Sequence, residues 1–195
     1  MDLVMFSADG MSATSQARSS DWQQIVAAVT REYGQLSGPE KEWIATSLGE
    51  IEGLQQQLDA LFVAAAGDDL CARCRGACCG CGHNHMTLVN LLSCLQRDDL
   101  PQPDFTRGCP FMGDCGCLLR AGSRPFNCVT FICDTIEEQM SLGQCDLFYS
   151  LERQLRTLYR AFTERYRGAA MTGLLLHYRR LRGDSFFSMK SDIKG

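Results

Sequence analysis

Cysteine is concentrated in one part of this chain to a degree that core filling does not explain. Eleven of its twelve cysteines, Cys71, Cys74, Cys78, Cys79, Cys81, Cys94, Cys109, Cys115, Cys117, Cys128 and Cys133, lie between 71 and 133, and only Cys145 stands outside. Thiols used as small hydrophobes would be scattered along the chain. Here the run Cys71-Ala-Arg-Cys74-Arg-Gly-Ala-Cys78-Cys79 is answered downstream by Cys109-Pro110, Cys117, Arg124-Pro125, Cys128 and Cys133. Thiolates are soft ligands, and four of them gathered through short steps such as C-x2-C make a tetrahedral sulfur cage suited to Zn2+ or to an iron–sulfur cluster.

Length and compartment narrow the reading. A chain of 195 residues holds one domain with a real core and does not depend on disulfides alone. The first twenty residues carry a four-residue apolar run, Leu3 to Phe6, with no basic flank before it, too short for a signal peptide, and no stretch approaches a membrane span. The expected compartment is therefore the cytoplasm, where thiols stay reduced or bind metal rather than pair. Charge is distributed unevenly: residues 1–70 carry a net −8, residues 71–145 a net −1 and residues 146–195 a net +5. A basic C-terminal segment suits a nucleic-acid or membrane face, but an acidic partner within the same chain is the simpler counterpart. No nucleic-acid or membrane partner is expected, and a protein partner stays open.

The fold class expected is mainly α: an N-terminal helix pair and C-terminal helices around a loop-rich, metal-organised cysteine module. Residues 1–19 are polar and aperiodic and read as a tail. Ser20 with Gln23 resembles a capping box, and Trp22, Val26, Val29, Tyr33 and Leu36 predict a helix over 21–36. Ser37-Gly38-Pro39-Glu40 ends it and starts a second helix, carrying Ile44, Leu48, Ile51, Leu54, Leu58, Leu61 and Phe62 to about 66, so that 20–66 forms a helical hairpin. Within the module at 67–145, Leu88, Leu91, Leu92 and Leu95 predict a helix over 87–96, prolines and glycines make 98–127 a loop, 127–132 is the best strand candidate, and Asp134 with Glu137 forms a capping box. A helix from Asp146 carries Phe148, Leu151, Leu155, Leu158, Phe162 and Tyr166. The last carries Met171, Leu174, Leu175, Tyr178 and Leu181 before Gly183, and 184–195 is a second tail, leaving one domain over 20–183.

The spacing of the upstream cysteines leaves two arrangements open. Cys71 and Cys74 suit a grip on one ion from a tight turn. Cys78 and Cys79 are adjacent, so their side chains diverge and each can serve a different site; the alternative is one site of Cys71, Cys74, Cys78 and Cys79 with the downstream thiols inert. The ordered set resembles a widespread family of cysteine-cluster proteins described as zinc- or iron-chelating and known by a CxxCxxCC signature. Its downstream features read here as Cys109-Pro110-Phe111, Gly113-Asp114, Cys117, Arg124-Pro125, Cys128 and Cys133. The resemblance implies eight metal ligands: Cys71, Cys74, Cys78, Cys79, Cys109, Cys117, Cys128 and Cys133. Cys74 and Cys78 are separated by three residues where the signature has two, and Leu118-Leu119 stands where the family commonly has Ile-Tyr.

His83, His85 and Cys115 compete as ligands, since imidazole also suits Zn2+. Arg73, Arg75, Arg107, Arg120 and Arg124 are placed to offset thiolate charge through hydrogen bonds to sulfur and backbone. Cys94 and Cys145 read as packing thiols, and His177 as a satisfied core histidine. No phosphate loop, dinucleotide fingerprint, HExxH or Ser/His/Asp arrangement is present. The expectation is a metal-binding protein carrying Zn or an iron–sulfur cluster, with no catalytic residues assigned. Flagellin lysine methylases share the family's cysteine region, which makes a cluster-dependent enzyme the alternative by resemblance. Redox transfer is a third reading, since Cys109-Pro110 resembles the end of a ferredoxin ligand run.

Overall fold

A computed structural model describes residues 12–74, 77–114 and 116–190, with Cys81 described by its backbone only. The first helix, α1, runs Ala13–Gln35 and is capped by Ser12, whose hydroxyl accepts the Ser15 N–H at 3.2 Å. Residues 13–19, expected as part of a tail, are thus helical, and residues 1–11 lie outside the described ones. The helix starts early because a tertiary contact holds its first turn: the Ser15 hydroxyl is buried and donates to the Phe105 carbonyl at 3.0 Å. Apolar periodicity carries no trace of such a bond.

Helix α2, Gly38–Ala64, follows after Ser37 as cap and Pro39 in the first turn. Then come α3 (Gly67–Cys74), a 3-10 segment (Ala77–Asn84) and α4 (Leu88–Gln96). Thr87 starts α4 by donating both its N–H and its hydroxyl to Asn90 Oδ1, at 3.3 and 2.7 Å. The loop beyond holds a small antiparallel pair, β1 (Met112–Gly113) with β2 (Gly116–Cys117), and a 3-10 turn at Ala121–Ser123. The strand expected over 127–132 is instead helical: α5 spans Phe126–Thr130. Pro125 sets the helical start, Thr130 donates its hydroxyl to the Phe126 carbonyl at 2.8 Å, and Phe126 packs edge-on against Tyr159.

Helix α6, Asp134–Glu137, is capped by Cys133 rather than by Asp134. Helix α7, Leu142–Arg165, begins four residues before the expected Asp146, because Ser141 and Gln144 form a capping box ahead of the apolar stripe. Helix α8, Leu174–Leu181, closes the order. The chain is mainly helical, as its periodicity implies, and no helix among the described residues is long and apolar enough to cross a membrane.

The two N-terminal helices find their main partners in the C-terminal half rather than in each other. Helix α2 packs on α7, and α1 packs on α8. Leu48, Ile51 and Leu58 of α2 and Leu151, Leu155 and Phe162 of α7 are all buried in one continuous core. Acidic and basic ends meet there: Arg165 Nε donates to Glu40 at 3.0 Å, and Arg179 Nη2 donates to Asp21 at 2.9 Å. Residues 184–190 are part of the fold. Phe186 and Phe187 are buried, and the Phe186 and Ser188 carbonyls accept from the N–H groups of Gly168 and Arg167, each at 2.9 Å.

Exposed ion pairs contribute at most about 1 kcal/mol each, so the α2–α7 seam supplies most of the stability and the charges set the pairing. Leu155→Ala is expected to cost about 2–5 kcal/mol by chemical denaturation; a loss below half a kcal/mol would place Leu155 outside the core. The Glu40 carboxyl is held below its ordinary 4.5 chiefly by Arg165, with Tyr166 adding a second hydrogen bond. Its folded value being the lower one, the contribution is full above that ordinary value and is lost as the pH falls through the depressed one. Between pH 5 and 3 the thermal midpoint of Glu40→Gln should therefore fall less steeply than that of the unmodified chain.

Candidate metal centre

The cysteines arrive from six places in the fold. Cys71 and Cys74 stand on α3, half-buried and exposed respectively, and Cys78 and Cys79 on the following 3-10 segment. Cys109 precedes β1, Cys117 ends β2 opposite Met112, Cys128 lies on α5, and Cys133 caps α6. Cys115 and Arg75 lie outside the described residues.

Three contacts bring these segments together. Gly82 leaves no room for a side chain, because an added Cβ would stand 2.8 Å from Cys109 Sγ; at Gly108 it would stand 2.8 Å from the Gly80 carbonyl oxygen. The 3-10 segment and the 108–109 turn thus touch backbone to backbone, an approach only glycine permits. His85 Nδ1 lies 3.4 Å from Cys128 Sγ, tying the end of that segment to α5. Helix α3 packs against α6, which brings Cys133 toward Cys71 and Cys74.

Electrostatics records the same proximity. Burial pushes the Cys71 thiol up to about 11, and charge on Cys74, Cys78 and Cys133 raises it further. Cys79 is pushed up to about 12, first by burial and then by Cys78, Cys109, Cys117 and Cys71. For Cys128, also about 12, burial leads and Cys117, Cys109 and Cys79 follow, with Arg124 acting the other way. Cys128 is exposed, and its sulfur stands beside His85. Such thiols are nearly all protonated at neutral pH, which is the reverse of what an activated nucleophile needs. Among the described residues no three His, Cys, Asp or Glu side chains stand close enough to share one ion, so ligation requires the sulfurs to turn toward one another.

The remaining candidates separate by their contacts. His85 is half-buried, and burial, then the charge of His83, holds its imidazole below the ordinary value. His83 lines a small apolar recess with Trp22, Met86, Phe105 and Phe111. Cys94 is buried on α4 and burial raises it to about 11, and Cys145 packs against the core. His177 Nε2 bonds the Arg167 carbonyl, as a satisfied core histidine does.

The arginines mostly order loops. Arg107 binds Asp104 at 3.1 Å, the Met112 carbonyl at 3.0 Å and Asp114 at 2.9 Å. Arg124 donates to the Leu119 carbonyl at 3.2 Å and to Asp59 at 3.0 Å while its charge favours the Cys128 thiolate. Sequence reasoning missed the partners of the Arg124 carbonyl, which accepts from Gln55 Nε2 at 2.6 Å and from Asn90 Nδ2 at 2.9 Å. Two buried amides on different helices carry no local motif.

No protein-family model, curated protein or solved structure matches the chain.

Gly108→Ala tests the backbone contact. The clash is with a carbonyl rather than with a flexible side-chain end, so the substitution should cost about 1–3 kcal/mol. An unchanged thermal midpoint would show that the two segments do not touch.

Proposed function

We propose that this chain is a metal-binding protein whose cysteine module carries zinc or an iron–sulfur cluster. The observation that supports this reading is the gathering of thiols from distant segments: Cys109 lies against Gly82, Cys128 Sγ stands 3.4 Å from His85 Nδ1, and α3, which carries Cys71 and Cys74, packs on α6, whose cap is Cys133. Such thiols are neutral on their own, and a bound cation displaces their protons and joins the sulfurs as thiolates. A soft divalent ion or an iron–sulfur core supplies that cation, and thiolate sulfur is the donor both prefer.

The donor set fits such a group in chemistry. Cys71, Cys74, Cys78, Cys79, Cys109, Cys117, Cys128 and Cys133 would hold it, His85 stands ready to donate to the Cys128 sulfur, and Arg124 offsets part of the thiolate charge. Bound zinc would supply structural cross-links; a bound cluster would supply electron transfer. The chain's own contribution is to hold the loops in register through Arg107 and Arg124 and to keep the buried thiols from acting as free nucleophiles.

Anaerobic purification followed by zinc, iron and sulfide analysis tests the reading. A chain that carries zinc, or iron with acid-labile sulfide, is the expected result; one that emerges without metal and takes up neither ion in reducing buffer contradicts it. Cys79→Ser and Cys128→Ser should lower the bound metal at least twofold, whereas Cys94→Ala should leave it unchanged because Cys94 is enclosed in α4. Equal metal content in all three would remove Cys79 and Cys128 from the ligand set.

A further inference from the structure

Resting on the metal-binding reading, the geometry points to two ion sites rather than one, meeting at the Cys78–Cys79 peptide: Cys71, Cys74, Cys78 and Cys133 form the first, and Cys79, Cys109, Cys117 and Cys128 the second. The contacts divide at that peptide. On the upstream side α3, which carries Cys71 and Cys74, packs against α6, whose cap is Cys133. On the downstream side the 3-10 segment, which also packs on α8, meets the second half of the module. Gly80 meets Gly108, Gly82 meets Cys109, and His85 meets Cys128.

Cys117 joins the second set through the small hairpin. The Met112 N–H donates to the Cys109 carbonyl at 3.1 Å, and Met112 pairs with Cys117 across β1 and β2, so the two cysteines flank one turn. Adjacent residues direct their side chains apart, which lets Cys78 serve one set and Cys79 the other. Closing each set needs rotamer changes of the thiols, and three of the first set, Cys74, Cys78 and Cys133, are exposed and free to make them. Each set then offers four sulfurs, the tetrahedral complement that Zn2+ takes in a closed site.

Co2+ serves as the probe, because its visible bands report four-sulfur coordination in place of colourless Zn2+. Reduced, metal-free chain titrated anaerobically should take up two equivalents with the tetrathiolate spectrum. The double variants Cys74→Ser/Cys133→Ser and Cys109→Ser/Cys117→Ser should each keep one such site, whereas Cys74→Ser/Cys117→Ser should keep none. A retained four-sulfur spectrum in the last variant, or loss of both sites in either of the first two, overturns the division. Failure of the unmodified chain to bind Co2+ or Zn2+ overturns the metal-binding reading itself and is distinguishable from both.

A measurement on the unmodified chain guards against variants that do not fold. After loading with one equivalent of Zn2+ and brief alkylation, intact-chain mass spectrometry with fragmentation should find the four cysteines of one set protected together on each molecule. Protection that groups Cys133 with Cys117, or Cys71 with Cys109, contradicts the assignment.

Discussion

The carbonyl of Arg124 is the point on which the arrangement of the cysteine loops depends. Gln55 of α2 and Asn90 of α4 both donate to it, and Asn90 also donates to the Tyr159 hydroxyl of α7 at 2.8 Å. Gln55, Asn90 and Tyr159 are essentially without solvent contact. Leaving one such group unpaired costs about 1–3 kcal/mol, so three helices and the loop are committed to one geometry. The Arg124 side chain then turns back to Leu119 and Asp59. Cys117 lies just before this clasp and Cys128 just after it, and both inherit their positions from it.

Two kinds of charge arrangement act in the molecule. Between the helices opposite charges are matched, as in Glu40 with Arg165 and Asp21 with Arg179. These pairs steer α2 toward α7 and α1 toward α8, while buried leucine, isoleucine and phenylalanine supply the energy. In the cysteine module thiols from distant segments stand near one another, and Arg124 works against the burial that raises the Cys128 thiol.

Much of the helical frame was legible because α2, α4 and α7 present unbroken apolar stripes with clear caps. Where the reading failed, the deciding contact was distant in sequence. Ser15 reaches Phe105 and extends α1 through a polar stretch. Residues 127–132 read as the best strand candidate, but Pro125 and the burial of Phe126 against Tyr159 put the stretch to Thr130 in α5. Periodicity showed which face of α1 and α2 was apolar but not which helix would cover it. At the candidate centre the cysteines were legible from their spacing. Their grouping was not, because it depends on α3 meeting α6 and on two glycines meeting across the loops.

The cysteine module is anchored unequally. Phe105, Phe111, Leu119 and Phe126 bury its downstream half in the core, whereas Arg73, Cys74 and Cys78 upstream are exposed. Metal would therefore order the upstream arm most, and structural zinc contributes on the order of 10–16 kcal/mol per site at neutral pH. Limited trypsin digestion of metal-loaded and chelator-treated chain, followed by mass spectrometry, tests this most directly. Chelation should speed cleavage after Arg73 at least tenfold while cleavage after Arg97, held by Glu52, changes little; equal rates after Arg73 with and without metal would contradict the account.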